Sequence, residues 1–153
     1  MSQEREILSL IPHGLYLVGV RAESGTFLYT ASWLTQASID PLLIATAVRR
    51  THDGHDLIQE ARAFTVNLLA KGQLDLARVG FANPEDRLFQ VRWKECPHTG
   101  SPVVLDSLAY LACRLVRWVD CGDHDLAVAE VVGSERFAEG ELLTIQETPW
   151  TYS

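Results

Sequence analysis

The chain has 153 residues, a mass of 17.1 kDa and 47% apolar residues, which is enough for one ordinary hydrophobic core. Its 20 acidic and 13 basic residues give a net charge of −7, which argues against a general binder of nucleic acid or of anionic membranes. We therefore predict a single globular domain over residues 1–153.

The first residues and the cysteines bear on where the protein works. Five polar residues follow Met1, and no apolar signal region comes after them. No apolar stretch approaches the roughly 18 residues that a membrane-spanning helix needs. Cys96, Cys113 and Cys121 form no CxxC pair, so the sequence indicates neither a disulfide framework nor a zinc knuckle. These features predict a cytoplasmic protein with reduced thiols.

Short apolar runs dominate the predicted secondary structure. Helical spacing of apolar residues predicts three helices, over residues 3–11, 53–62 and 73–81. Runs of β-branched and aromatic residues between turn-forming residues predict strands over residues 15–20, 26–32, 42–48, 64–68, 109–119, 126–132 and 142–146. The polar segments around residues 83–86 and over 95–102 are expected to be surface loops.

The order of these elements favours a mainly β fold with peripheral helices. Many short strands with few helices are typical of a closed or partly closed antiparallel barrel that carries its helices outside. A doubly wound sheet is disfavoured, because strands and helices do not alternate regularly and no GxGxxG motif opens a helix.

The first candidate segment, Thr30–Gln36, lies between two apolar strands. Small and hydroxylated residues at a strand end offer backbone N–H groups and hydroxyls, which suit a planar heteroaromatic ligand with several acceptor atoms. The alternative is a plain turn with one packed tryptophan, and composition alone leaves both open.

The second candidate segment, Arg49–His55, leaves an apolar strand and enters a helix. Its adjacent arginines, threonine hydroxyl and glycine at a helix start could bind an anion, because free N–H groups and the helix dipole favour a phosphate. In the alternative, Asp53 caps the helix and the arginines are solvated. A metal site at His52, His55 and Asp56 is disfavoured, because no further cluster of ligands is evident.

The third candidate segment is a tight turn with the sequence Gly122-Asp123-His124. A histidine titrates near neutral pH, so His124 could donate a proton or a hydrogen bond to a substrate while a neighbouring aspartate orients it. The alternative is a solvated turn. The chain contains no GxSxG, HExxH or Walker A motif.

Taken together, these segments resemble the flavin reductase-like family, the FMN-binding split barrels. The likeness runs from about Gly14 to Tyr152. It rests on five pieces in a fixed order: GLYLVGV (14–20), TASWLTQASIDPLL (30–43), FTVNLL (64–69), GSPV with AYLAC (100–103 and 109–113), and GDH (122–124).

The resemblance implies a six-stranded antiparallel Greek-key split barrel that acts as a homodimer, with a flavin bound near the subunit interface. It implies FMN as the cofactor, with FAD possible, and no metal. The implied contacts run from the flavin ring to its phosphate, and they involve Thr30, Ala31, Ser32, Trp33, Leu34, Thr35, Val48, Arg49, Arg50, His52, His55 and Phe81.

The sequence departs from the family pattern at the expected phosphate site. His52 and Gly54 replace two hydroxyl residues, so the phosphate would depend on backbone N–H groups, His52, His55 and an arginine. The ending around Trp150 and Tyr152 is similar to a family ending, which raises the question of whether these residues cover the flavin.

The activity that the resemblance implies is NAD(P)H-dependent reduction of FMN, FAD or riboflavin by hydride transfer to flavin N5. NAD(P)H would be the co-substrate, and His124 the catalytic residue at the nicotinamide or the flavin edge. The reduced flavin could serve a two-component monooxygenase or another electron acceptor. Two alternatives remain: an FMN-binding electron carrier that a protein partner reduces, and a non-catalytic flavin-binding barrel.

Overall fold

Strands dominate the computed structural model, which describes residues 2–150. The α-helices are α1 (Gln3–Leu8), α2 (Asp53–Ala61) and α3 (Leu74–Val79), and short 3₁₀ helices cover Pro84–Gln90 and Ile145–Glu147. The strands are β1 (Tyr16–Ala22), β2 (Gly25–Ala31), β3 (Leu34–Ser38), β4 (Leu43–Arg49), β5 (Ala63–Leu68), β6 (Trp93–Glu95), β7 (Pro102–Val104), β8 (Ala109–Cys121) and β9 (His124–Arg136). The fold is therefore mainly β with few helices, as the sequence predicts.

Seven strands form one antiparallel sheet in the order β2-β1-β5-β8-β9-β4-β3, while β6 and β7 form a separate pair. The two edge strands, β2 and β3, are joined by only Ser32 and Trp33. Three Cα–Cα steps of about 3.8 Å span at most about 11 Å, so the two edges of the sheet must meet at this link. The sheet is therefore strongly curled.

The curled sheet encloses the main hydrophobic core. Buried side chains come from the middle of the sheet, such as Val18 and Phe64, from the edge strand β2, such as Tyr29, and from β4 next to the other edge, such as Ile44. Helix α2 adds Ile58, which is also fully buried. Because strand residues alternate between two faces, every second residue of β2 and β4 faces this core.

A buried asparagine joins three strands. The Asn67 side chain on β5 donates to the Leu17 carbonyl oxygen on β1 at 2.9 Å and accepts from the Val104 amide on β7 at 2.8 Å. Asn67 is fully buried, and water cannot replace these two partners. The β6–β7 pair is thereby held against the main sheet.

The segment over residues 142–146 is not the strand that the sequence predicts. It makes isolated bridges, Gly14 with Thr144 and Ala70 with Leu142, and then turns into a 3₁₀ helix. Its backbone crosses between the start of β1 and the end of β5, so each neighbour can pair with it over only one or two residues. A capping box of Thr144 and Glu147 starts the 3₁₀ turn.

Three other differences concern local elements. The residues of β3 lie inside the segment that the sequence treats as a site, and β7 and the 3₁₀ helix at Pro84–Gln90 lie at the expected surface loops. The main sheet has seven strands where six were expected, and β3 is short and half-exposed. No helix within residues 2–150 is long and apolar enough to cross a bilayer.

We expect Asn67→Ala to lower the free energy of unfolding by about 2–4 kcal/mol, because it leaves a buried carbonyl and a buried amide without partners. Urea denaturation of the ligand-free protein measures this loss. Asn83→Ala is the matched control, since Asn83 is exposed and its side chain makes no capping bond. An Asn67→Ala variant as stable as this control would contradict the role of Asn67.

Candidate functional site

A cavity of about 360 Å³ opens where the two edges of the sheet meet. This volume is within the range of small-molecule and cofactor sites. The walls come from distant parts of the chain: the residue before β1, the end of β2 and the link to β3, the end of β4, the start of α2, the second residue after α3, and the last described residues. The lining residues are Leu15, Tyr29, Thr30, Ala31, Ser32, Trp33, Ala47, Val48, Arg49, His52, Phe81, Ile145 and Trp150.

Most of the residues that the sequence points to are brought together here. The cavity wall includes Thr30, Ala31, Ser32, Trp33, Val48, Arg49, His52 and Phe81. Five predicted residues are not part of the wall: Leu34, Thr35, Arg50, His55 and His124. Five wall residues were not predicted as contacts: Leu15, Tyr29, Ala47, Ile145 and Trp150.

The link between the edge strands is fixed through the Trp33 carbonyl oxygen. It accepts hydrogen bonds from the Ala47 amide and the Thr46 hydroxyl, both at 3.0 Å. Within residues 2–150, neither the amide nor the hydroxyl of Ser32 takes part in a hydrogen bond. Ser32 therefore presents two polar groups at the cavity that a ligand could use.

The Thr30 hydroxyl is already occupied. It donates to the Ala77 carbonyl oxygen of α3 at 2.6 Å, and a Cβ atom at Gly80 would lie only 1.9 Å from it. The glycine thus lets α3 end directly against β2. Thr30 shapes the cavity wall, and its hydroxyl proton holds α3 in place.

The two adjacent arginines point to different sides. Arg49 lines the cavity and lies 3.9 Å from the Asp123 carboxylate, whereas Arg50 binds Asp125 at 3.0 Å and also pairs with Asp120. Arg49 is the last residue of β4 and Arg50 follows it in the turn, and the two side chains meet different carboxylates. Both arginine side chains remain about half exposed to solvent, at 48% and 44%.

His55 belongs to the same outer network as Arg50. Its Nε2 atom lies 2.8 Å from the Asp125 carboxylate, and its ring stacks on Trp118 with centroids 4.1 Å apart. These contacts hold His55 on the outer side of α2. The hydrogen bonds from His55 and Arg50 lower the pKa of Asp125.

His52, not Asp53, is the N-cap residue of α2. Its Nδ1 atom accepts from the Gly54 amide at 3.0 Å, so the neutral ring carries its proton on Nε2. Burial lowers the pKa of His52, an effect that Asp53 opposes, so the neutral form is favoured near pH 7. His52 thereby combines a structural cap with a hydrogen-bond donor at the cavity.

His124 is buried behind the cavity. Its side chain is 5% exposed, so the alternative of a solvated turn residue is wrong. Its Nδ1 atom lies 2.7 Å from the Asp123 carboxylate, and this hydrogen bond is the main reason that the pKa of Asp123 is lowered. The ring packs against Trp33, with centroids 4.9 Å apart. His124 therefore reaches the cavity through Trp33.

Two aromatic residues form the outer wall. Phe81 is 61% exposed, and Trp150 meets it edge-on with ring centroids 5.0 Å apart. The segment that carries Trp150 is fixed by backbone hydrogen bonds from Leu15 to Leu143 and from Ile145 to His13. Trp150 thus takes part in the cavity wall, while Tyr152 lies outside the described residues.

The cavity has distinct apolar and polar parts. Leu15, Val48, Phe81, Ile145 and Trp150 supply apolar walls, which suit a planar ring system. Arg49 and the Nε2–H group of His52 lie by the start of α2, where the helix dipole also favours an anion. The buried Tyr29 hydroxyl in the wall has no partner among the described residues. A flavin with a phosphorylated side chain fits this set of donors.

The histidines and carboxylates do not form a metal site. Within residues 2–150, no three His, Cys, Asp or Glu side chains cluster as metal ligands would. The partners described above also occupy one ring nitrogen each of His52 and His55.

Sequence comparison places this geometry among known proteins. The chain is 36% identical to an NADPH-flavin oxidoreductase from Streptomyces viridifaciens, over 84% of this chain and 69% of that protein. It also matches diflavin flavoproteins from Nostoc and Synechocystis, but it spans only about a quarter of their length (24% and 25%).

Solved structures share the fold. The NADH:FAD oxidoreductase SgcE6 of Streptomyces globisporus superposes with a TM-score of 0.86 at 27% identity, covering 93% of this chain and 86% of that one. BorF, the flavin reductase component of a bacterial two-component tryptophan halogenase, gives a TM-score of 0.84 at 29% identity, with 92% and 90% covered. The family model described as "Flavin reductase like domain" matches residues 8–148. The chain therefore belongs to the flavin reductase-like family.

Proposed function

We propose that this protein reduces a free flavin, FMN in the first place, with NAD(P)H as the electron donor. The observation that carries the proposal is the cavity itself, which joins apolar walls to an anion-binding end in a member of this family. The similarity to an NADPH-flavin oxidoreductase and to an NADH:FAD oxidoreductase supports the same activity. FAD is the alternative flavin, since the cavity is open on one side.

The residues at the edge link would hold the flavin ring. Apolar contacts from Val48, Phe81 and Trp150 would bind its faces, and the amide and hydroxyl of Ser32 would donate to its polar edge. Fixed donors there favour the extra negative charge of a reduced flavin. Ala31 and Trp33 would complete this wall, with Leu34 and Thr35 as neighbours along the chain.

The start of α2 would hold the phosphate. Arg49 and His52 supply the donors that face the cavity, whereas Arg50 and His55 support this end from outside through Asp125. Because His52 caps α2 with Nδ1, its Nε2–H group is available to an anion.

When bound, the flavin supplies the redox chemistry by accepting a hydride at N5 from the nicotinamide. The protein contributes by orienting both rings and excluding water, which can account for much of an enzymatic rate. We assign His124 to this step as the residue that packs against Trp33 and is itself held by the Asp123 carboxylate.

We propose that the curled sheet is a six-stranded Greek-key split barrel formed by β1, β2, β4, β5, β8 and β9, with β3 as an added edge strand. The two-residue link between the edges supports closure of such a barrel. We assign residues 1–153 to this single domain.

We propose a cytoplasmic protein that passes reduced flavin to a partner. Its three free cysteines suit a reducing compartment. BorF, a reductase component of a two-component halogenase, indicates the class of partner: a flavin-dependent oxygenase that takes up the reduced flavin.

A second candidate function is an FMN-binding electron carrier that a protein partner reduces. The match to a quarter of the diflavin flavoproteins favours it, because there the same domain is part of a longer flavoprotein. The activity assay below separates the two, since a carrier of this kind retains flavin but does not oxidise NAD(P)H.

We also propose that two copies form a dimer beside the cavity. Phe81 at the cavity mouth and Ile39 and Leu42 between β3 and β4 are apolar and 61%, 85% and 45% exposed. A second copy would remove such side chains from water. Light scattering should give twice the chain mass of 17.1 kDa, and a stable mass of one chain would contradict the dimer.

Ser32→Tyr should abolish flavin-stimulated NAD(P)H oxidation, because a phenol ring would fill the space at the edge link. The assay follows absorbance of NADH or NADPH with added FMN, FAD or riboflavin. The control is Ser9→Tyr, an exposed position that lies outside the cavity wall and should keep wild-type turnover. If the wild type oxidises neither nucleotide with any of the three flavins, the proposed activity is wrong.

His124→Ala should lower kcat of nucleotide oxidation by about tenfold or more, since a positioned residue beside the rings is lost. The FMN dissociation constant, measured by fluorescence, should change much less. Unchanged turnover in a folded variant would remove His124 from the mechanism.

A further inference from the structure

The hydroxyl of Tyr29 is a buried polar group without a protein partner. Tyr29 lies on β2, is 6% exposed and contributes to the cavity wall. Among the described residues, its hydroxyl makes no hydrogen bond, although nearly all buried polar groups in proteins do. Burial also raises the pKa of this phenol, so it keeps its proton at neutral pH. The residue that carries this unused donor is part of the cavity wall.

The position of the Tyr29 ring is set by the start of α2. Its centroid lies 4.7 Å from the His52 ring and 5.9 Å from the Phe27 ring. A Cβ atom at Gly54 would lie 2.8 Å from its Cε1 atom, so the ring fits only because residue 54 has no side chain. The pairing of Tyr29 with Gly54 thus brings a phenol to the anion-binding end of the cavity.

The charges around this end are mostly positive. Arg49 lines the cavity, and the Arg87 guanidinium lies 5.2 Å from the centre of the Phe27 ring, next to Tyr29. Both arginines act to lower the pKa of His52, while Asp53 is the carboxylate that opposes them. The groups offered to a ligand here are an O–H, an Nε2–H and a guanidinium, all of which are donors.

We propose that the Tyr29 hydroxyl donates a hydrogen bond to the phosphate of bound FMN and makes the site selective for phosphorylated flavins. This inference rests on the proposed function. A set of donors beside a helix N-terminus is suited to a phosphate monoester, which offers only acceptors. Tyr29 thereby supplies a hydroxyl close to Gly54, one of the two positions where this sequence departs from the family's hydroxyl residues.

Tyr29→Phe tests the proposal, because it removes only the hydroxyl. Binding of FMN and of riboflavin is measured separately by quenching of flavin fluorescence. The FMN dissociation constant should rise about tenfold to a hundredfold, the usual effect of losing a hydrogen bond to a charged group, and that for riboflavin should change less than about threefold. Tyr110→Phe is the control, since Tyr110 is equally buried but packs in a different cluster around Cys96.

Gly54→Ala provides a second variant. Its methyl group would lie 2.8 Å from the Tyr29 ring and 2.9 Å from His52 Nδ1, so it would displace both donors of the anion-binding end and should weaken FMN binding selectively. Far-UV circular dichroism and urea denaturation establish that each variant is folded. If Tyr29→Phe does not fold, the Gly54→Ala result alone decides.

Three outcomes would overturn the inference. In the first, folded Tyr29→Phe, or Gly54→Ala where it alone decides, binds FMN as tightly as the wild type does. In the second, the deciding variant loses FMN and riboflavin affinity equally, which would place the hydroxyl on the ring or the ribityl chain. In the third, the wild type binds no flavin, and only this result would also remove the proposed function.

Discussion

The two-residue link between β2 and β3 is the constraint on which the site depends. Ser32 and Trp33 join strands that lie at opposite edges of a seven-stranded sheet, so the sheet has to curl until its edges meet. The double hydrogen bond to the Trp33 carbonyl oxygen fixes the link on β4. The cavity is the space that remains at this junction.

The two adjacent arginines at the end of β4 have different surroundings. Arg49, the last residue of β4, lines the cavity beside Asp123, and Arg50 after it pairs with Asp120 and Asp125. The outer pairs keep α2 and the β8–β9 turn together, and the inner arginine remains at the cavity. The two adjacent arginines therefore have different roles: Arg49 is placed to contact a ligand, and Arg50 stabilises the fold.

Local patterns were sufficient for most of the strands and for the composition of the site. The apolar runs gave β1, β2, β4, β5, β8 and β9, and the Thr30–Gln36 and Arg49–His55 segments supplied much of the cavity wall. Residues 142–146 have the composition of a strand, but they cross between two neighbours and cannot pair along their length. Whether Arg50 and His55 would face the site depended on the partners on β9, which no local pattern shows.

Tyr29 illustrates the limit of such patterns most clearly. Tyr29 and Thr30 are successive residues of a predicted strand, and an aromatic residue in a strand is normally interpreted as part of the hydrophobic core. That the Tyr29 hydroxyl has no hydrogen-bond partner among the described residues becomes evident only in the folded structure. The helix cap shows a similar limit. In the alternative interpretation Asp53 caps α2, but the N-cap is His52, whose Nδ1 atom accepts a hydrogen bond from the Gly54 amide.

The close approach of Tyr29 to Gly54 also links two positions that are 25 residues apart in the chain. In a relative with a hydroxyl side chain at the position of Gly54, that side chain would occupy the space that the Tyr29 ring fills here. A residue smaller than tyrosine is therefore expected at the position of Tyr29 in such a relative. The two positions are therefore expected to change together during evolution. Such covariation would divide the family into proteins in which the start of α2 supplies a hydroxyl and proteins in which β2 supplies it.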